Sequence, residues 1–131
     1  MNFKRSTLLT VALIVLNLSM SEVYAASLSV KCLVFSGGSR SKVFVRGTGL
    51  KGHYYVKVFS GDADVLSGEK STDSKGNVSF LFDSDPEVIS TNPSATLIPP
   101  DLIKNKKVVG VIRKAFSHAR IGGVIETCLP R

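Results

Sequence analysis

The stretch from His53 to Asp83 constrains the fold of this chain most strongly, because it reads as strand, turns and strand. Residues 53–59 and 77–82 are rich in β-branched and aromatic side chains, and turn-forming residues lie between them. Alternate residues of a strand point to opposite faces, so each run has one set directed inward. That inward set is predicted to be Tyr54, Val56, Val58, Val78, Phe80 and Phe82.

Further short apolar runs lie before and after this unit. Strands are predicted at 28–35, 42–46, 107–112 and 124–129, with a weaker edge strand over 65–66 and 69–72. Residues 113–120 are open to two interpretations, a strand end plus loop or one helical turn. Pro86 excludes a central strand at 83–87. Since no amphipathic helix of ordinary length is present, the pattern predicts an all-β sandwich of about seven strands over residues 26–131.

The first 25 residues have the pattern of a secretory signal peptide. Lys4 and Arg5 precede an apolar run from Leu8 to Leu18, and Val23-Tyr24-Ala25 fits the small-x-small cleavage rule. A transmembrane anchor is the alternative, but the run is shorter than the ~20 residues that a span needs. We therefore expect an exported protein without a transmembrane segment in its mature chain, secreted outside the cell or, in a Gram-negative source, into the periplasm.

Cys32 and Cys128 lie near the two ends of the predicted domain. In an oxidising compartment, two cysteines at such positions are expected to form one structural disulfide. A metal or redox pair is the alternative, but the chain has neither a CxxC motif nor a histidine near the cysteines. The bridge requires the terminal strands to be neighbours, or to face each other across the core, with Cα atoms at most ~7 Å apart.

The chain is basic, with a formal net charge of +7, and its charges are grouped along the sequence. Residues 27–60 carry basic but no acidic side chains, residues 61–90 are mostly acidic, and residues 91–131 are again mostly basic. Such a protein could bind anionic surfaces such as wall polymers, lipopolysaccharide or heparin-like chains. In the alternative interpretation, the two signs neutralise each other in three dimensions.

Two turn patterns carry a resemblance to known families. A G-x-G-L turn at 47–50 precedes a strand, and a T-D-x-x-G turn at 72–76 precedes an aromatic-rich strand. The stretch from Val45 to Phe82 thereby resembles bacterial immunoglobulin-like domains. Transthyretin-like secreted proteins and the pollen-allergen and extensin-like proteins share the T-D-x-x-G half, although the last two families usually carry further cysteines. The resemblance implies an immunoglobulin-like or transthyretin-like β-sandwich and assigns no functional residue.

Residues that could carry catalysis are few. His53 opens a strand, and His118 stands beside Ser117. Ser117 and His118 are not expected to form a catalytic pair, because such partners meet across the fold rather than along the chain. Two histidines alone would not close a zinc site, and no glycine pattern for phosphates or dinucleotides is present.

Three other features are candidates for a site. The acidic segments Asp62–Asp64 and Asp83–Glu87 could converge on calcium at one end of the sandwich, or could simply face water. Tyr55, Phe59 and Leu81 would form a binding patch if their face were exposed, unless a second layer covers it. Asn77-Val78-Ser79 is a glycosylation sequon, which matters if the source is eukaryotic.

These observations favour a small exported non-catalytic module that binds, or supports, a protein or anionic polymer of the envelope or extracellular matrix. We expect no catalytic residue, no cofactor, no metal site and no nucleic-acid partner. The alternative is a small secreted enzyme of the hydrolase type with an unrecognised site. Turnover that is lost on mutation of His53 or His118 would favour that alternative.

Overall fold

A computed structural model describes residues 26–131, and these residues form two packed β-sheets. The predicted signal peptide, residues 1–25, lies outside the described residues. The all-β prediction is confirmed, although the described part has ten strands rather than about seven. Within that part, no helix is long and apolar enough to cross a membrane.

The strands alternate with short turns along most of the chain. They are β1 Ser27–Val34, β2 Ser41–Thr48, β3 His53–Ser60, β4 Ala63–Leu66, β5 Lys70–Ser71, β6 Val78–Asp83, β7 Thr96–Leu97, β8 Lys107–Lys114, β9 Arg120–Thr127 and β10 Leu129–Pro130. A 3₁₀ turn covers Ser36–Gly38, and one helix, α1, covers Pro86–Thr91.

One sheet has the order β10-β1-β2-β6-β7, and we call it the β1 sheet. The other, the β3 sheet, has the order β4-β3-β8-β9, with β5 also paired to β3. Neighbouring strands are antiparallel except in the pairs β1–β10 and β6–β7. The chain therefore passes from the β3 sheet to the β1 sheet between β9 and β10.

The core lies between the two sheets and follows the predicted alternation. Phe80 and Phe82 of β6 are almost completely buried, and so are Val43 and Val45 on the neighbouring strand β2. The inward set predicted from the sequence is confirmed, because all six of its members belong to the buried cluster. Register is determined here because a shift of one residue would turn every apolar side chain outward.

The longest connection, between β6 and β8, was not predicted in detail. The sequence indicated a break at Pro86, and the structure has a short helix there. Asp85 caps this helix, since its carboxylate accepts a hydrogen bond from the N–H of Glu87 at 3.0 Å, and Pro86 occupies the first turn. The capped helix has only six residues, which is too short for a periodic apolar stripe in the sequence to predict it.

The sandwich has two distinct ends. At the loop end lie the β2–β3 turn (49–52), the β5–β6 turn (72–77) and the β8–β9 turn (115–119). At the crossover end lie the β1–β2 connection, the β3–β4 turn, the β6–β8 connection and the passage from β9 to β10. Residues 113–120 form a strand end plus turn, the first of the two predicted alternatives.

Candidate functional site

Backbone hydrogen bonds hold two turns of the loop end together. The N–H of Leu50 donates to the carbonyl oxygen of Gly76 at 3.0 Å, and the N–H of Thr72 donates to Gly52 at 2.9 Å. The hydroxyl of Thr72 accepts a hydrogen bond from the N–H of Gly52 at 3.1 Å. The β2–β3 and β5–β6 turns therefore form one unit, although residues 53–71 separate them in the sequence.

Asp73 organises the β5–β6 turn from within. Its carboxylate oxygen Oδ1 accepts hydrogen bonds from the N–H groups of Asn77 and Lys75, both at 2.9 Å. The backbone hydrogen bond from Asn77 is the main cause that lowers the pKa of Asp73 below its ordinary value, helped by the bond and the charge of Lys75. The carboxylate therefore stays ionised and is used by its own turn.

The β8–β9 turn is attached to the start of β3. The N–H of Ala115 donates to the carbonyl oxygen of His53 at 3.0 Å, and the N–H of His118 donates to Lys114 at 3.0 Å. Phe116, at the tip, is 82% exposed, and its ring makes a T-shaped contact with the His53 ring at 5.9 Å between centroids. The turn thus presents a large aromatic side chain to solvent.

Two adjacent depressions run between these turns. The first, of about 590 Å³, lies between residues 49–51 and 72–76. The second, of about 380 Å³, lies between residues 51–54 and 114–117. They share Lys51, so we treat them as one loop-end groove lined by all three turns. Each turn contributes one exposed lysine to it: Lys51, Lys75 and Lys114.

The excess of positive over negative charge lies at this end of the molecule. The cations on or beside its turns are Arg46, Lys51, Lys70, Lys75, Arg113, Lys114 and Arg120, and the acids are Glu69 and Asp73. The crossover end is nearly balanced, with Arg40, Lys42, Lys104, Lys106, Lys107 and Arg131 beside Asp62, Asp64, Asp83, Asp85, Glu87, Asp101 and Glu126. Acidic and basic side chains therefore nearly balance at the crossover end, whereas the loop end keeps a net positive charge.

The three groove lysines form no ion pair in the described part of the chain, although the charge of Lys75 acts on the nearby Asp73 carboxylate. Ion pairs in the described part of the chain join Arg40 to Asp83 and Asp85, Lys57 to Asp64 and Lys104 to Asp101, and His53 contacts Glu69. None of these pairs includes a groove lysine. Positive charge that the protein does not neutralise attracts anionic ligands over distances of about a Debye length, ~8 Å at physiological salt.

His53 has neighbours that superficially resemble a catalytic group. Its Nδ1 atom lies 3.0 Å from the hydroxyl of Ser71 and 3.3 Å from a carboxylate oxygen of Glu69. In a relay, the nucleophile and the acid contact different ring nitrogens, so that a proton can pass through the imidazole. Here both contact the same nitrogen, which does not provide that route.

His118 lies near the same face but has a different partner. Its Nδ1 atom is 3.0 Å from the phenol oxygen of Tyr55, and its carbonyl oxygen accepts a hydrogen bond from Arg113 at 2.9 Å. Ser117 bonds to the backbone of Ala119 rather than to the histidine. The Ser117 and His118 side chains thus contact different partners.

The acidic segments do not assemble a calcium site in the described residues, where no group of three metal-ligating side chains converges. Asp83 does not face water, because its side chain is completely buried. Arg40 donates two hydrogen bonds to it, at 2.9 and 2.7 Å. Asp64 pairs with Lys57 at 3.2 Å, and Asp62 is exposed.

Opposing effects act on the Asp83 carboxyl. Burial disfavours its charge and by itself raises the pKa. The hydrogen bonds and charge of Arg40, together with the N–H of Asp85, outweigh burial and hold the pKa below its ordinary value. The same contact, through the hydrogen bond to Asp83, raises the pKa of Arg40. This pair joins the β1–β2 connection to the end of β6 at the crossover end.

The predicted disulfide is confirmed. Cys32 and Cys128 are bonded, their Cα atoms are 4.5 Å apart, and both side chains are buried. The terminal strands are neighbours, as required, because β1 pairs with β10. The bridge lies where the chain passes from the β3 sheet to the β1 sheet between β9 and β10.

The proposed patch of Tyr55, Phe59 and Leu81 does not exist as one surface. Tyr55 and Phe59 lie on the outer face of the β3 sheet, whereas Leu81 lies on the outer face of the β1 sheet opposite Phe44. All three are half-buried. Asn77 is half-buried between the β5–β6 turn and β6, and its glycosylation remains a prediction.

Sequence reasoning missed the residues of the groove. In the sequence, Lys51, Lys75 and Lys114 resemble ordinary solvated cations. Phe116 lies within residues 113–120, for which the sequence allows two interpretations. The available signal was that each lysine lies within or beside a turn that joins two predicted strands.

The chain matches no known family, no curated protein and no solved structure.

Proposed function

We propose that this chain is an exported, non-catalytic binding module that recognises an anionic polymer or an acidic protein through its loop-end groove. The observation that carries the proposal is the convergence of Lys51, Lys75 and Lys114 on one groove, with Phe116 exposed beside it. Three cations in or beside separate turns outnumber the one carboxylate of the groove, Asp73, and none of them forms an ion pair in the described chain, which favours an anionic ligand over a neutral one.

The strand order supports an immunoglobulin-like arrangement rather than a transthyretin-like one. Strands β1, β2 and β6 of one sheet would correspond to A, B and E, and strands β3, β8 and β9 of the other to C, F and G. In that correspondence the β2–β3 and β8–β9 turns take the places of the B–C and F–G loops. Antibody variable domains use those loops for binding.

Export is supported by the signal-peptide pattern of residues 1–25 and by the disulfide. A binding role is supported further by the lack of a proton relay at His53, whose Nδ1 atom contacts both Ser71 and Glu69. A module of this kind acts by holding its ligand, so the positions and charges of the groove side chains determine affinity.

The test compares two triple variants with the same change in net charge. The groove variant carries Lys51→Gln, Lys75→Gln and Lys114→Gln, and the control carries Lys31→Gln, Lys107→Gln and Arg131→Gln, all exposed positions away from the groove. Binding to heparin and to poly-glutamate is measured by titration calorimetry at several salt concentrations. We expect the groove variant to lose about tenfold or more in affinity, because three charge contacts of ~0.2–1 kcal/mol each are removed.

The control variant should keep its affinity within about twofold, since long-range charge alone is screened at physiological salt. Equal losses in both variants would show attraction by net charge without a site. Failure of the unmodified protein to bind either polyanion would overturn the proposal. Ester or glycoside turnover abolished by His53→Gln would instead support the hydrolase alternative.

A further inference from the structure

We propose that the ligand of the loop-end groove is an acidic polysaccharide, whose sugar rings stack on Phe116 while its carboxylate or sulfate groups bind the groove lysines. This inference rests on the proposed function and specifies its ligand class. It depends on three features of the groove: its backbone, its aromatic side chain and the type of its cations.

Most backbone N–H groups of the groove already donate hydrogen bonds within the protein. The N–H groups of Leu50, Lys51 and Gly52 donate to Gly76, to the Tyr54 hydroxyl and to the Thr72 hydroxyl. Those of Thr72, Lys75, Gly76 and Ala115 also donate to partners in the protein. An extended peptide binds a β-sandwich by pairing its main chain with free backbone groups, and these amides do not provide such an edge.

The same observation bears on how anions bind. Successive free backbone N–H groups can cradle an anion, but the three successive amides at 50–52 are engaged. Recognition therefore falls to side chains. Lysine is a flexible point charge that accepts single carboxylate or sulfate groups in varied geometry, which suits the repeated anions of a polysaccharide.

Phe116 provides the second recognition element. Its ring is oriented by the T-shaped contact with His53, yet 82% of the residue remains exposed. An aromatic face offers a flat apolar surface, and the C–H face of a pyranose ring is flat and apolar in the same way. Because Phe116 lines the groove together with Lys114 and Lys51, a ring stacked on it would hold its acidic substituents beside cations.

The experiment separates charge from ring stacking. A heparin dodecasaccharide carries both anions and pyranose rings, whereas poly-glutamate and polyphosphate carry anions without sugar rings. We expect Phe116→Ala to weaken binding of the dodecasaccharide about tenfold, since an aromatic stacking contact contributes about that factor. Affinity for the two ring-free polyanions should stay within about twofold, and Phe116→Trp should retain dodecasaccharide binding.

Ile125→Ala is the matched control, because Ile125 is 72% exposed on β9 and lies outside the groove. Its dodecasaccharide affinity should not change. If the dodecasaccharide binds and depends on the groove lysines but Phe116→Ala has no effect, this inference fails and the proposed function stands. If Phe116→Ala weakens binding of poly-glutamate as much as binding of the dodecasaccharide, the effect of Phe116 does not require a sugar ring and this inference fails. If the unmodified protein binds none of the probes, both proposals fail.

Discussion

At the crossover end polar side chains are buried and hydrogen-bonded, whereas at the loop end the polar side chains of the three turns lie in or near solvent. The buried polar residues of the described chain are Ser41, Ser60, Asp83 and Ser84, and all of them lie at the crossover end. Each has a partner there: Ser60, for example, donates to Lys107 at 2.6 Å and accepts from the N–H of Lys104 at 2.6 Å.

This difference follows from what each end must connect. The crossover end holds the long β6–β8 connection and the passage from β9 to β10, so side chains there hydrogen-bond to backbone that has no strand partner. The loop end has short turns that bond mainly through their backbones, which leaves the side chains of Lys51, Lys75 and Lys114 exposed. Variants at the crossover end should therefore lower stability with little effect on affinity, and the reverse should hold for groove side chains.

The largest expected effect is removal of the disulfide. Cys32→Ala with Cys128→Ala opens a bridge that spans 96 residues of sequence, for which the chain-entropy relation gives a loss of ~4–5 kcal/mol. Denaturant unfolding measures the loss, and heparin titration below the transition should find unchanged affinity. A double variant as stable as the unmodified protein would show that the crossover end does not depend on its bridge.

The next effect concerns the Arg40–Asp83 pair. Asp83→Asn should cost ~3 kcal/mol, the lower part of the range for breaking a buried pair, because the Arg40 side chain is 30% exposed and can rehydrate. The exposed Asp101 is the control, and Asp101→Asn should cost little. Urea unfolding at neutral pH measures the stability of both variants. Equal stabilities would contradict the role of Asp83.

The pH dependence of this effect has a definite sign. The folded pKa of Asp83 lies below its unfolded value, so the pair stabilises the protein above the unfolded pKa, ~3.9, and that stability is lost as pH falls through the folded pKa. The gap in unfolding free energy between the unmodified protein and Asp83→Asn should therefore narrow on acidification. A gap that widens below pH ~4 would contradict the assignment.

The smallest expected effect lies at the loop end. Gly76 has a positive φ of 82°, and a Cβ there would lie 2.9 Å from the carbonyl oxygen of Leu50. Gly76→Ala should cost ~1–3 kcal/mol through strain, and it should weaken heparin binding because it parts the two turns that form the groove. Gly68→Ala is the control, since nothing lies within 4 Å of its added Cβ. An unchanged heparin affinity for Gly76→Ala would show that the two turns need not stay joined.

Much of the fold was predictable because burial on one face of a strand imposes a period of two on the sequence. Val78, Phe80 and Phe82 could be placed in the core for that reason. Cys32 was placed on an inward face by the same rule, and the bridge to Cys128 followed from the number of cysteines and the expected compartment.

The remainder depended on contacts between residues far apart in the chain. Nothing local distinguishes Asp83, which is buried against Arg40, from Asp62, which faces water. Tyr55 and Leu81 appeared to share a surface until sheet order placed them on opposite sides of the sandwich.

By itself, then, the sequence determined the β class and the core faces, because both depend on the period-two alternation of apolar residues. It also determined the bridge, because the chain has only two cysteines. Only the tertiary structure decided that Lys51, Lys75 and Lys114 line one groove beside Phe116. These residues lie in turns or, for Lys114, at the strand end beside one, where no long run of alternation links side-chain direction to sequence position. Their proximity arises from the order in which the strands pair, and pairing order depends on long-range packing rather than on local pattern.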